Sequence, residues 1–136
     1  KLMENPLLIP KLAGEIFRYQ TPIIHMCRTA TRDAELGGQQ IRKGDRVVLW
    51  YISANQDELA IENPDQFIID REKPNKHLSF GAGIHRCIGE RLANLQIRIL
   101  WEEILRQNMI IDVVGKPTRK YSNFIRGISH LPVQIR

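Results

Sequence analysis

Cysteine is scarce: this 136-residue chain has two, Cys27 and Cys87, far apart in sequence. Two are too few for the disulfide framework of a small secreted protein, so a reducing compartment, the cytoplasm, is expected. Aromatic residues make up only 7% of the chain, and the charge is not concentrated: 20 Lys and Arg face 15 Asp and Glu, a net +5. Basic stretches such as Arg42-Lys43 and Lys116 to Lys120 are interrupted by Gly, Pro and Thr. Without a cationic stripe interleaved with stacking aromatics, no nucleic-acid surface can be read. The excess is a solvated surface that could at most steer an acidic protein partner. No apolar run reaches the roughly 18 residues of a membrane span. The opening Lys1-Leu2-Met3-Glu4-Asn5-Pro6 reads neither as an initiator methionine nor as a signal peptide, and is expected to be a helix closing at Asn5-Pro6. The expectation is a piece of a larger protein.

What is present predicts a mixed α/β class. Leu12, Ile16 and Tyr19 recur at helical spacing over 9–20, with Pro10 in the first turn and Thr21-Pro22 closing the helix. Residues 23–36 read as extended, Gly37-Gly38 as a turn and 39–41 as a short strand. Lys43-Gly44-Asp45 turns into the β-prone 46–51, and a small antiparallel sheet follows. A short helix is predicted over 55–61 and a turn at Asn63-Pro64-Asp65. Residues 69–88 form a long loop, a length that tends to be functional. The clearest helix is 90–107, whose apolar residues cover more than one stripe and predict burial over much of its circumference. Strands at 109–114 and 131–135 complete the chain.

The long loop ends Phe80-Gly81-Ala82-Gly83-Ile84-His85-Arg86-Cys87-Ile88-Gly89 and runs straight into that helix. A metal-binding thiolate needs its charge stabilised. A helix N-terminus favours an anion by about 0.3–1 kcal/mol. Gly81, Gly83 and Gly89 lack the Cβ atoms that would keep backbone amides or a flat cofactor away, and His85 and Arg86 add donors. A structural cysteine beside a glycine turn is the competing reading. The decapeptide resembles the haem-binding signature of cytochromes P-450 in its order and spacing of Phe80, Gly83, His85, Cys87 and Gly89. The resemblance implies haem b (iron protoporphyrin IX) as cofactor, with Cys87 as iron ligand and catalytic residue. It makes residues 1–136 the C-terminal part of one P-450 domain.

Further assignments follow from that resemblance. Glu15 and Arg18, three apart on one helix face, would by themselves be an ordinary surface ion pair. P-450 enzymes carry such a Glu-x-x-Arg helix, completed by an Arg from a later segment; Pro64 to Arg71 resembles that segment, which makes Arg71 the third member. Arg28 and His85 are implied to bind the haem propionates, as guanidinium suits carboxylate. The runs Glu15 to Pro22, Gly44 to Asn55, His77 to Arg91 and Ser122 to Gly127 resemble bacterial terminal alkane and fatty-acid hydroxylases. In that branch Ile23, Ile24, Met26 and Phe124 would wall an apolar substrate pocket, although the same residues could simply be core.

The implied reaction inserts one oxygen atom of O2 into an unactivated C–H bond, with the thiolate pushing electron density onto iron. Electrons would come from NAD(P)H through a ferredoxin and its reductase, with Arg86, Arg91 and Arg98 as possible docking cations. A steroid or terpenoid side-chain hydroxylase is the near alternative. Two readings lie further off: a haem-thiolate sensor or electron carrier, and a zinc module built from His25, Cys27, His85 and Cys87. The family's oxygen-activating helix would precede Lys1, so these residues alone are not expected to enclose haem or turn over.

Overall fold

The computed structural model describes residues 1–136. Residues 2–4 form a turn rather than a helix end, and a 3-10 turn at Pro6–Leu8 leads into α1, Ile9–Gln20. The Asn5 side chain accepts the Leu7 N–H at 3.2 Å, and Pro6 and Pro10 stand where missing N–H groups cost nothing. Thr21 ends the helix as expected of a residue before proline, but in the left-handed region at φ +42° instead of extended. Such a backbone costs a β-branched residue about 1–3 kcal/mol. Two hydrogen bonds offset it: Thr21 N–H to the Phe17 carbonyl at 3.0 Å, and Thr21 Oγ1 to the Arg18 carbonyl at 2.7 Å.

The next strands are β1 (His25–Thr29), β2 (Ala34–Leu36), β3 (Gln39–Ile41) and β4 (Arg46–Trp50). Gly37 and Gly38 both have positive φ and turn β2 into β3. β1 pairs antiparallel with β4, setting His25 opposite Trp50 and Arg28 opposite Val47. After the helix α3 (Glu90–Arg106), β5 (Ile111–Val113) pairs with β8 (Val133–Ile135), and β6 (Thr118–Arg119) with β7 (Ile128–His130). The predicted small sheet is therefore four separate two-stranded antiparallel ladders. The predicted helix at 55–61 is also displaced: α2 is Tyr51–Ala54, and the following residues are turns.

The buried set gathers on α1, through Ile9, Leu12, Ala13, Gly14, Glu15 and Arg18. The helix α3, Glu90–Arg106, has one buried residue, Ile104. Leu92, Leu95, Ile99 and Leu100 are 41–60% exposed, against the expectation of a helix buried on most sides. Its apolar positions face several directions, and among the helices and strands α1 is its principal neighbour. No helix is long and apolar enough to cross a membrane.

Candidate functional site

The carboxylate of Glu15 is the hub of a buried ion system. Arg18 donates to it from Nε at 2.8 Å and Nη2 at 2.9 Å, and Arg71 from Nε at 2.9 Å and Nη2 at 3.3 Å. The Ile68 N–H adds a bond at 2.9 Å. Glu15 and Arg18 side chains are 0% exposed and Arg71 9%, so this is not a solvated surface pair. Burial alone pushes the Glu15 carboxyl up; the bonds from Arg18, Arg71 and Ile68 outweigh it and hold the group below the usual carboxylate range. Arg18 spends its remaining donors on the carbonyls of Asn55 (2.9 Å), Pro64 (2.7 Å) and Gln66 (2.9 Å). All five guanidinium N–H groups are thus used. The system pins the segment 62–71 against α1.

From there the chain runs to the cysteine loop. His77 packs its ring 5.7 Å from Phe80 and 6.4 Å from Phe17, and Phe17 meets Phe80 at 4.6 Å. Burial lowers the His77 pKa and favours the neutral ring. The Cys87 N–H donates to the Phe80 carbonyl at 2.8 Å and ties the two ends of the loop together. Gly81 is buried at φ +70°, and a Cβ there would stand 3.2 Å from Tyr51 Oη. Glycine meets both demands without strain. Gly83 opens a 3-10 turn over Gly83–His85, and Gly89 is the residue before α3. At Gly89 a Cβ would lie 3.7 Å from Cys87 Sγ, an ordinary contact. Arg86 pairs with Glu90 through two hydrogen bonds.

Cys87, Phe80, Gly81 and His85 open on one cleft of about 680 Å³ together with Arg28 from β1. Ile23 and Met26 line it too. Ile24 and Phe124 do not; they meet each other through the Ile24 N–H and the Phe124 carbonyl at 2.9 Å, and the Phe124 ring lies 5.9 Å from His25. The cleft is apolar over most of its lining, has a thiol on its floor and carries Arg28 and His85. Those groups would suit a flat, largely apolar macrocycle that bears carboxylates and a metal with a preference for a soft sulfur ligand. Haem therefore fits the residues present. The four residues of the zinc reading are not brought together: no cluster of three or more His, Cys, Asp or Glu forms, and His25 packs on Trp50 at 5.0 Å.

Several residues here escaped the sequence reading. Phe17 and Tyr51 line the cleft. Phe17 lies next to the stripe residue Ile16, and the predicted strand over 46–51 swallowed Tyr51. Asn55, Thr21 and Ser79 are buried polar residues between α1 and the loop; short polar residues in irregular chain carry no periodic signal.

Comparison with known proteins bears on the family of the chain. The family model for cytochrome P-450 matches residues 5–128. Linalool 8-monooxygenase of Pseudomonas putida is 40% identical over 132 residues, 97% of this chain and 32% of that protein. A methyl-branched lipid omega-hydroxylase of Mycobacterium bovis is 43% identical over 127 residues, 93% of this chain and 29% of that protein. Among solved structures, cytochrome P-450-153 from Novosphingobium aromaticivorans superposes with a TM-score of 0.95 at 50% identity, covering 99% of this chain and 34% of that one. The chain spans about a third of the length of the relatives it matches. With the family match over residues 5–128, this chain belongs to the cytochrome P-450 family.

Proposed function

We propose that residues 1–136 supply the thiolate-ligand half of a haem pocket in a monooxygenase that hydroxylates unactivated C–H bonds. The observation that carries the reading is the cleft where Cys87 Sγ shares one apolar space with Arg28 and His85. In this reading Cys87 ligates the iron of haem b, and Arg28 and His85 hold the propionates. Phe80 and Gly81 shape the floor, while Gly83 and Gly89 set the backbone on either side of the cysteine. When bound, the haem supplies the oxidising chemistry that splits O2, with electrons from NAD(P)H.

The rest is done by this chain's own groups. Cys87 lies just before the N-terminus of α3, with Gly89 as the N-cap between them. The Glu15, Arg18 and Arg71 system touches neither cofactor nor substrate; it keeps the loop in register. Ile23 and Met26 offer an apolar wall to substrate and exclude water, while Ile24 and Phe124 lie outside the cleft and are joined to each other by a backbone hydrogen bond.

For substrate we propose medium-chain alkanes or fatty acids oxidised at the terminal carbon. The resemblance to terminal hydroxylases supports this, and so does a relative named for omega-hydroxylation of a lipid. A terpenoid substrate is the second reading, favoured by the relative named for linalool. Ferredoxin and its reductase are proposed as the electron donors, and a cytoplasmic setting belongs to the same proposal. Of the docking cations, Arg86 is already paired with Glu90 and Arg98 with Glu102, which leaves Arg91 the freest. The test is product analysis of the full-length protein, supplied with those donors and O2 and offered octane, a medium-chain fatty acid, linalool and a sterol. Terminal alcohols from the first two are expected. Exclusive turnover of linalool or the sterol would replace the terminal-hydroxylase assignment.

A further inference from the structure

Asn55 is wholly buried, yet neither the ion system nor the cleft accounts for its side chain. Its carboxamide makes three hydrogen bonds. Nδ2 donates to Thr21 Oγ1 at 2.9 Å and to Ser79 Oγ at 2.8 Å, and Oδ1 accepts the Leu78 N–H at 2.7 Å. The two hydroxyls are already committed as donors: Thr21 Oγ1 to the Arg18 carbonyl at 2.7 Å, and Ser79 Oγ to the Phe17 carbonyl at 2.6 Å. Both therefore present only lone pairs to residue 55, while Leu78 presents a proton. A side chain must donate twice and accept once from two atoms on one carbon, and a primary amide does so where a carboxylate of the same shape cannot.

The position matters because of what lies on each side. Leu78 and Ser79 immediately precede Phe80, whose ring packs on Phe17 and whose carbonyl holds the Cys87 N–H. Thr21 is the strained end of α1, and the Asn55 carbonyl accepts from Arg18 Nη1. The buried ion system, the end of α1 and the entry to the cysteine loop therefore meet at one residue. We propose that Asn55 is a positioning residue for the thiolate: through Leu78, Ser79 and Phe80 it sets where Cys87 stands relative to the haem iron. The proposal rests on the haem-thiolate reading and goes beyond it by naming what holds the ligand in place.

The test uses full-length, haem-loaded protein. The ferrous carbon monoxide complex is recorded for wild type, Asn55→Asp, Asn55→Ala, Ser79→Ala and a control, Ile104→Ala, together with haem content and melting temperature. Ile104 is buried near the far end of α3 from the cysteine. The Asn55 variants should bind haem but lower the ratio of red-shifted to unshifted Soret band by about tenfold, in keeping with the loss of a buried hydrogen-bond partner. Ile104→Ala should melt earlier with its ratio unchanged. A wild-type ratio in the Asn55 variants, or an equal fall in Ile104→Ala, overturns the proposal. If the Asn55 variants do not fold, Ser79→Ala decides: it keeps the bonds to Leu78 and Thr21 and should still lower the ratio, and an unchanged ratio overturns the proposal. A wild type with no red-shifted band overturns the haem-thiolate reading itself and this inference with it.

Discussion

At Glu15, five donors from three residues surround one carboxylate with no solvent exposure. Removing one partner of such a buried pair leaves a charge with nothing to answer it. Glu15→Gln is therefore expected to cost the full-length protein about 3–5 kcal/mol in denaturant unfolding. The pH dependence has a definite sign. The folded-state pKa of Glu15 lies below its unfolded value, so its contribution is present above about pH 4 and is lost as pH falls through the folded value. His77 works in a higher window. Burial lowers its pKa, so the unfolded chain binds the extra proton first and stability declines as pH drops below about 6.5. Urea titrations across both ranges should show two separate losses, with His77→Gln flattening the upper and Glu15→Gln the lower. A smaller backbone change tests the loop: Gly81→Ala meets both a positive φ and the Tyr51 hydroxyl, and is expected to destabilise and to lower haem retention. Measured haem content after desalting checks it.

Periodic elements were legible in the sequence, and irregular ones were not. The Leu12, Ile16, Tyr19 spacing predicts α1 to the residue, and the turn glycines place β2, β3 and β4 well. At 55–61 the expected helix is replaced by turns after α2 ends at Ala54, and Asn55 there bonds through its carboxamide to Thr21, Ser79 and Leu78, a tertiary role that a local pattern does not name. In the same way the apolar pattern of α3 reported how much surface that helix offers, while its burial depends on neighbours that a periodic pattern does not name. The cysteine loop was readable through its resemblance to a family signature, whereas Phe17 and Tyr51 reach the cleft only through tertiary packing. Packing also explains Gly14. A Cβ there would come within 2.8 Å of both the Pro74 carbonyl and Asn75 Oδ1, so α1 and the loop touch backbone to helix. Gly14→Ala should push the loop away and lower the melting temperature by several degrees, about what a 1–3 kcal/mol overpacking penalty produces. Differential scanning calorimetry of the full-length variant checks it.

Over the whole molecule, 14 of 136 residues are buried, while Leu92, Ile99, Leu100 and many other large apolar side chains lie open. A chain of this size with so small a core is marginal by surface-to-volume scaling. Residues 1–136 expressed alone are thus expected to bind a hydrophobic dye and to unfold with weak cooperativity, whereas the full-length protein should do neither. Dye fluorescence and thermal melts of the two make the comparison. That same full-length protein offers the most direct test of the account, the ferrous carbon monoxide spectrum of wild type, Cys87→Ser and Cys27→Ser. The account predicts a strongly red-shifted Soret band in wild type and Cys27→Ser and its loss in Cys87→Ser; an unshifted band in wild type, or equal effects of the two substitutions, would contradict it.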